Sequence, residues 1–594
     1  MDGKCAPDRE DRPAGGIPRV SGRFPASLGV AENSEWVYSP AMPSTPPVAH
    51  PAICLVDGPP LLADALERAG CAVLRVQASP EPVVDLPAAL DRAGFAPDLV
   101  LQVERLGPRS VLSGLEGLDC PLLLWCIDPH LNSHWHAAYA RLFDLACSTQ
   151  RAWMESIGRF GAPDVRWLPW FGQDLPQVPW EAREHGLAFV GRVTRQRPAR
   201  RWMTEFLARK GANANPAILQ EVPYQEMLAL YGRSKLIPNE SIFGEVNFRL
   251  FEGASCGCLV LGQDIAEQAD LFEPGREMDT YAHVVELGEK LDLYLGNDRL
   301  TRTMGRAARA RVLAEHQPEH RAARILEYGR DAARNRATGR EAAKWSAITL
   351  ASLWEAGMPT VGLDELLRRL AAVPGDADVA AAALRVQVVS GMDEVLDANL
   401  SKLLERPAWR EHVDLNLAAS MACLYRKRFK DAGAFLCRYL ESRGKEGAPY
   451  VDPKALLTRW ARELERLGRI LRPGFPFDTK RHLPAAASDC LMCVLEDAPD
   501  DLPTLRLLDS LLARVPGSEQ NRVGLLSILT LHERGDWRPA LELGLADLGT
   551  YRLDSGLDEL RLALSLARER NAESAFLRVL KARDPSGLLL KRLS

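Results

Sequence analysis

Apolar residues in the first half of the chain come in short dense runs, and in the second half they come at helical spacing. Six runs open the series: AICLV from Ala52, CAVLRV from Cys71, PDLVLQV from Pro97, PLLLWCID from Pro121, FDLACS from Phe143 and VRWLPW from Val165. Their apolar stretches are short and continuous, the signature of strands buried on both faces. Helix-like segments such as LLADALERAG alternate with them, which predicts a parallel sheet with helices on both sides. A second series begins at LAFVG (Leu187 to Gly191) and runs through a strand near Ala217 to Val222 and a helix from Tyr224 to Tyr231. It continues with the strands KLIPN and CLVLG and a short strand in LFEPGREMDTY, and closes near Gly329.

Beyond Lys344 the strand signals vanish, and helical periodicity broken by glycine and proline takes over. Four helix-turn segments share a large or apolar residue three positions before a small or apolar one: Met392/Val395, Phe429/Ala432, Trp537/Ala540 and Ala572/Ala575. The outer intervals are close to, and the middle one about three times, the roughly 34-residue period of tetratricopeptide repeats. An α-solenoid of helix pairs is expected over residues 340–594. Residues 1–50, rich in Pro, Gly, Ser and charge, read as a disordered leader. Between leader and solenoid the two α/β units occupy residues 51–183 and 184–335.

Charge and composition narrow the function. A net charge of -5 argues against a general binder of nucleic acid or anionic membrane. No apolar run approaches the roughly 18 residues of a transmembrane helix, and the N-terminus lacks a secretory apolar core. The scattered cysteines, several inside apolar runs, read as reduced buried thiols of a cytoplasmic protein.

The stretch NESIFGEVNFRLFEGASCGCLVLGQD, Asn239 to Asp264, carries the clearest candidate chemistry. It reads as a loop around Gly244, a short helix with Arg249 and Glu252 one turn apart, a stop at Gly257 and a buried strand. A helix start offers amides to a phosphate, and a carboxylate within the helix can take sugar hydroxyls, so a nucleotide site is expected here. LAFVG runs into a loop with Arg192, Arg195, Arg197, Arg200 and Arg201, which can share an anion. In the first unit, Asp128, Pro129 and His130 follow a strand directly, at the edge where ligands of such folds bind. His130 or Asp128 there could act as a base or charge stabiliser. His130, His134 and His136 lack zinc-type partners, and Cys490 and Cys493 form a lone pair on a helix-like segment, so both groups read as structural. No dinucleotide or P-loop glycine motif is present.

NFRLFEGASCGCLVL, with LFEPGREMDTY and RVLAEHQPEHRAARIL after it and PLLLWCIDPH before it, resembles CgeB-like glycosyltransferases of GT-B fold, relatives of the group 1 glycosyltransferases. The resemblance covers about residues 95–330 and is strongest from Asn247 to Tyr281. It implies two Rossmann-like domains, followed here by the all-α helical-repeat domain. It also implies transfer of a sugar from a nucleotide-sugar donor, with no cofactor and no metal. Gly191 and Arg192 fall where the family binds donor phosphate, and Arg195 or Arg197 would supply a second cation. The amides before Asn247 would share the diphosphate. Glu252 matches the second glutamate of the family's E-x7-E motif, whose role is toward ribose hydroxyls, and Gly257 the glycine that follows. Asn247 and Arg249 look like the CgeB-like form of the motif. The chain departs from the pattern at Gly244, where the first glutamate is expected, with Glu245 one position off and Glu240 further away. It departs again at Leu259, where a proline is expected. The resulting expectation is a bacterial-type cytoplasmic glycosyltransferase with Asp128, His130 and Glu252 at the reacting centre. Its acceptor, a protein or a glycan, would be held by the helical repeats. The alternatives are a non-catalytic GT-B-like scaffold and a sugar-nucleotide epimerase of the same fold.

Overall fold

The computed structural model describes residues 51–78, 81–107, 109–162, 164–194, 197–445 and 452–593. The expected leader and Arg195 lie outside them. In chain order the strands of the first α/β domain are β1 (Ala52–Val56), β2 (Ala72–Val76), β3 (Val83–Asp85), β4 (Leu99–Val103), β5 (Val111–Ser113), β6 (Leu122–Cys126), β7 (Leu145–Ser148) and β8 (Val165–Trp167). Six of them form one sheet in the order β2-β1-β4-β6-β7-β8, while β3 and β5 pair separately. All of these pairings are parallel, with Cys54 opposite Val100 and Leu124 opposite Ala146. β4 and β6 are buried along their whole length, as the apolar sequence of β6 requires; in β4 the one polar residue, Gln102, is satisfied by the Ser110 carbonyl.

The second α/β domain contributes β9 (His185–Val190), β10 (Ala217–Leu219), β11 (Ser234–Pro238), β12 (Leu259–Gln263) and β13 (Asp279–Tyr281), in the order β10-β9-β11-β12-β13 and again all parallel. The architecture is that of two Rossmann-like domains, the GT-B arrangement, followed by an all-α region. Helix Pro318–Asp331, which continues the second series in sequence, crosses back to the first domain. There Arg321 donates to the carbonyls of Pro169 and Trp170, and Gly329 lies against Leu99.

Three short-turn helix pairs of the C-terminal region start their second helix at an expected anchor: Asp393–Leu404, Phe429–Ser442 and Trp537–Gly549. A fourth second helix, Glu573–Arg583, begins beside Ala572. The anchors do not share one environment. Trp537 is buried, whereas Phe429 and Val395 are exposed. The long interval between Phe429 and Trp537 does not hold the expected three units. It holds helices Pro453–Arg466, Ala487–Asp497, Leu502–Leu512 and Glu519–His532, with a long connection from Leu467 to Ala486. That connection leaves the helical array and packs on the first domain, with Gly474 against the backbone of Leu131 and Phe475 edge-on to His134 at 5.5 Å. The helical region begins on the first domain, where Trp345 and Ile348 join its core. It ends on the second, where Trp537, Leu560 and Phe576 share a core with Leu187 and Phe189.

Candidate active site

The carboxyl ends of the two sheets face each other, and the residues expected to act stand there. Glu104, directly after β4, accepts hydrogen bonds from the amides of Ile127 at 2.7 Å and Asp128 at 2.9 Å and from Asn132 Nδ2 at 2.7 Å. It thus anchors the backbone leading into helix Pro129–Tyr139, and the Asp128 side chain, at the N-cap position, makes no capping bond. Burial raises the Asp128 carboxyl to about 6, against the pull of His130. Burial would also raise Glu104, but His136 and Arg109 outweigh it and hold that carboxyl down at about 2.

His130 is 2% exposed and forms an ion pair across the domain boundary with Glu245, itself buried. Burial disfavours both charges, yet their mutual attraction prevails, holding the His130 imidazole above its usual range and the Glu245 carboxyl below it. Glu245 is the residue one position from the expected first glutamate. Gly244, with φ +71, provides the left-handed turn that delivers the next side chain to His130. The three neighbouring histidines share no centre. His136 lies 3.2 Å from Glu104, and His134 packs on Phe475. Cys490 is buried and half-buried Cys493 is pushed up to about 12 by burial, consistent with structural thiols.

On the second domain, Gly191 lets a guanidinium approach the chain: a Cβ there would sit 3.2 Å from Arg249 Nη2. Arg249 does not pair with Glu252 as a surface i, i+3 partner. Its Nη1 donates to Asn239 Oδ1 at 2.6 Å, its Nη2 to the Val190 carbonyl at 3.1 Å, and it lies over Phe189. Arg192 is exposed, and its side chain makes no hydrogen bond or ion pair among the described residues. The side chain of half-buried Arg197 likewise makes no hydrogen bond among the described residues; Asp128, Glu240 and Glu245 pull on it electrostatically. Arg200 is committed elsewhere, donating to Glu240 at 2.9 Å and to the Arg192 carbonyl at 3.2 Å.

Asn247 caps helix Phe248–Ser255, its Oδ1 accepting from the Arg249 amide at 3.2 Å while its Nδ2 holds the Glu240 carbonyl at 2.9 Å. Of the amides before it, three are engaged within the protein and cannot face a diphosphate. Ser241 donates to Gln263, Glu245 to Ile242 and Val246 to Gln150. Gly257 ends the helix roughly 15 Å from its start, with Gln177 Oε1 2.7 Å from where a Cβ would stand. It acts as a helix stop, with a left-handed φ of +67. Glu252 is half-buried, and its carboxyl accepts no hydrogen bond among the described residues. Burial raises its carboxyl to about 7, and Arg249 moderates the rise. Tyr224, half in solvent, stands beside it and accepts from Gln173 Nε2 at 3.1 Å. Nothing in the sequence pattern singles out Tyr224 or Gln173, because they become neighbours of Glu252 only in the fold.

Further side chains fasten the domains, among them Gln150, which holds both the amide and the carbonyl of Val246, and Glu267, which accepts from the Arg151 amide and Trp167 Nε1. A cavity of about 800 Å3 lies beside the Ser241–Gly244 turn, walled by both α/β domains and by the helical region.

Residues 178–327 match the model of a family described as glycosyl transferase-like. No curated protein matches the chain. Among solved structures the chain is similar to sucrose-phosphate synthase from Thermosynechococcus elongatus, at 14% identity over 48% of this chain and 99% of that one, with a TM-score of 0.36. It is similar to the Anabaena protein HepE, solved with UDP and glucose, at 14% identity over 48% of this chain and 100% of that one, TM-score 0.34. A glycosyltransferase from Rickettsia africae matches at 12% identity over 48% of this chain and 100% of that one, TM-score 0.34. The family match spans most of the second α/β domain, with Arg192, Arg197 and Glu252 inside it.

Proposed function

We propose that the chain moves a sugar from a nucleotide-sugar donor to a protein or glycan acceptor, within the CgeB-like branch that Asn247 and Arg249 suggest. One observation carries the reading. At the mouth of the second sheet the side chains of two arginines, Arg192 and Arg197, and the carboxyl of Glu252 have no hydrogen-bonded partner among the described residues, and Arg197 lies within electrostatic reach of the His130–Glu245 pair of the domain boundary. Arg192 and Arg197 would take the diphosphate in place of a metal, Glu252 the ribose hydroxyls and Tyr224 the face of the base. Asp128, poised at about 6 and free of capping duty, would receive the acceptor's proton, with His130 and Glu245 stabilising charge beside it. The acceptor would arrive through the cavity beside Gly244, whose outer wall is formed by the helical region.

The test is thermal unfolding of the full chain with UDP-, GDP- and ADP-sugars in turn. One of them at about 100 times its Kd should stabilise by about 2.7 kcal/mol. Arg192→Ala and Arg197→Ala should each weaken that donor about 10- to 100-fold, as expected for a charge-assisted bond of about 1.5–3 kcal/mol. EDTA should leave binding unchanged. A panel with no stabilising nucleotide sugar would overturn the reading.

A further inference from the structure

The loop from Asn239 to Asn247 carries Glu240 and Glu245 and leads into the helix bearing Arg249 and Glu252. The helical region holds this loop at two separate points. At its start, the Tyr551 and Tyr281 hydroxyls are 2.7 Å apart, and the Tyr281 hydroxyl donates to the Asn239 carbonyl at 2.7 Å. Since Tyr281 spends its one proton on Asn239, Tyr551 is the donor of the pair. Burial pushes both phenols well up, so both keep their protons. Asn239 in turn holds Arg249 through Oδ1, and Tyr551, Tyr281 and Asn239 are all 3% exposed or less. At the loop's apex, Gly517 lies so close that a Cβ on it would stand 2.5 Å from the Phe243 amide nitrogen, and Pro516 touches Gly244. Phe243 itself holds a left-handed φ of +50, which a non-glycine residue keeps only under outside constraint. Tyr551 is left-handed as well, at φ +66.

We infer that the helical region is a working part of the donor site, with Tyr551 and Gly517 as positioning residues that mould the Asn239–Asn247 loop for a nucleoside diphosphate. This rests on the nucleotide-sugar reading above. Tyr551 acts through Tyr281 and Asn239 on Arg249, and Gly517 acts through Phe243 and Gly244 on Glu245. Neither touches the donor.

The test titrates the full chain with UDP, GDP and ADP separately. Tyr551→Phe keeps the ring and removes only the hydroxyl. It should bind the diphosphate that the wild type binds three- to tenfold more weakly, with little change in Tm. Tyr281→Phe should show the same loss, and adding Tyr551→Phe to it should cost nothing further, because both act along one chain of bonds. Gly517→Ala should lose at least tenfold. Hydrogen exchange gives a reading independent of ligand: amides of 239–247 should exchange faster in Tyr551→Phe while those of the first sheet do not. A merely structural Tyr551 would lower Tm and leave the affinity and the double-variant additivity untouched, and that result overturns the inference. If the wild type binds none of the three diphosphates, the donor reading fails first. If it binds one and both variants bind it within twofold of wild type, the positioning role alone is wrong.

Discussion

Glu252 shows how one side chain links stability to binding. Its carboxyl is raised from 4.5 to about 7 because it is half-buried with no donor to satisfy it. A raised carboxyl means the folded state binds a proton more tightly than the unfolded one between those two values. Stability therefore falls as pH rises from about 4.5 through about 7, and the cost is fully present above it. Partial exposure discounts the shift, so about 1–2 kcal/mol is expected at pH 8. Glu252→Gln should accordingly be the more stable protein at pH 8 and equal to wild type near pH 4, by urea unfolding at both. The ionised form is the one that accepts from ribose hydroxyls, so donor affinity should climb between pH 6 and 8 and lose that slope in Glu252→Ala. A wild-type affinity flat over this range would remove Glu252 from the donor site. The role proposed for this residue comes from its place in the motif. That of Glu245 was not legible there, since a spacing count lands on Gly244, and only a left-handed turn shows that the next residue reaches His130.

Among elements, the helix Phe248–Ser255 is set by what crosses it. Helix Asp298–Glu315 passes over its end, and Gly305 packs onto the Gly257 carbonyl and Cys258. Glycine inside an exposed helix normally costs about 1 kcal/mol relative to alanine. Here the sign should reverse: Gly305→Ala forces a methyl against backbone that cannot yield, and a loss of about 1–3 kcal/mol is expected by thermal unfolding. A gain would show that the crossing has slack. The strands themselves were readable because double-sided burial leaves unbroken apolar runs, as in PLLLWCI. The β3–β5 pair was not, since three-residue strands leave no periodicity to read. Nor was the Leu467–Ala486 connection, whose turn residues look like solenoid punctuation until Gly474 is seen against Leu131.

Over the whole molecule the helical region spans the site as an arch with one foot on each α/β domain. Its first helices complete the core around Trp345, and its last complete the core around Leu187 and Phe189. The Arg552 guanidinium lies over Trp202 at 5.5 Å, and Arg592 donates to Glu289. Removing residues 537–593 would strip helix Val284–Gly296, Trp202 and Tyr281 of their cover. Uncovering large apolar side chains costs about 1.5–3 kcal/mol each. A handful of them equals the whole stability of a typical domain, about 5–15 kcal/mol. The full chain should therefore unfold in one calorimetric transition, and a chain ended at Gly535 should accumulate as aggregate or bind a hydrophobic dye. A truncated chain that stays soluble, with the full-length Tm, would make the arch an appended module. The closed cleft that brings His130 to Glu245 would then be held by contacts between the α/β domains themselves, those of Gln150, Glu267 and helix Pro318–Asp331 among them.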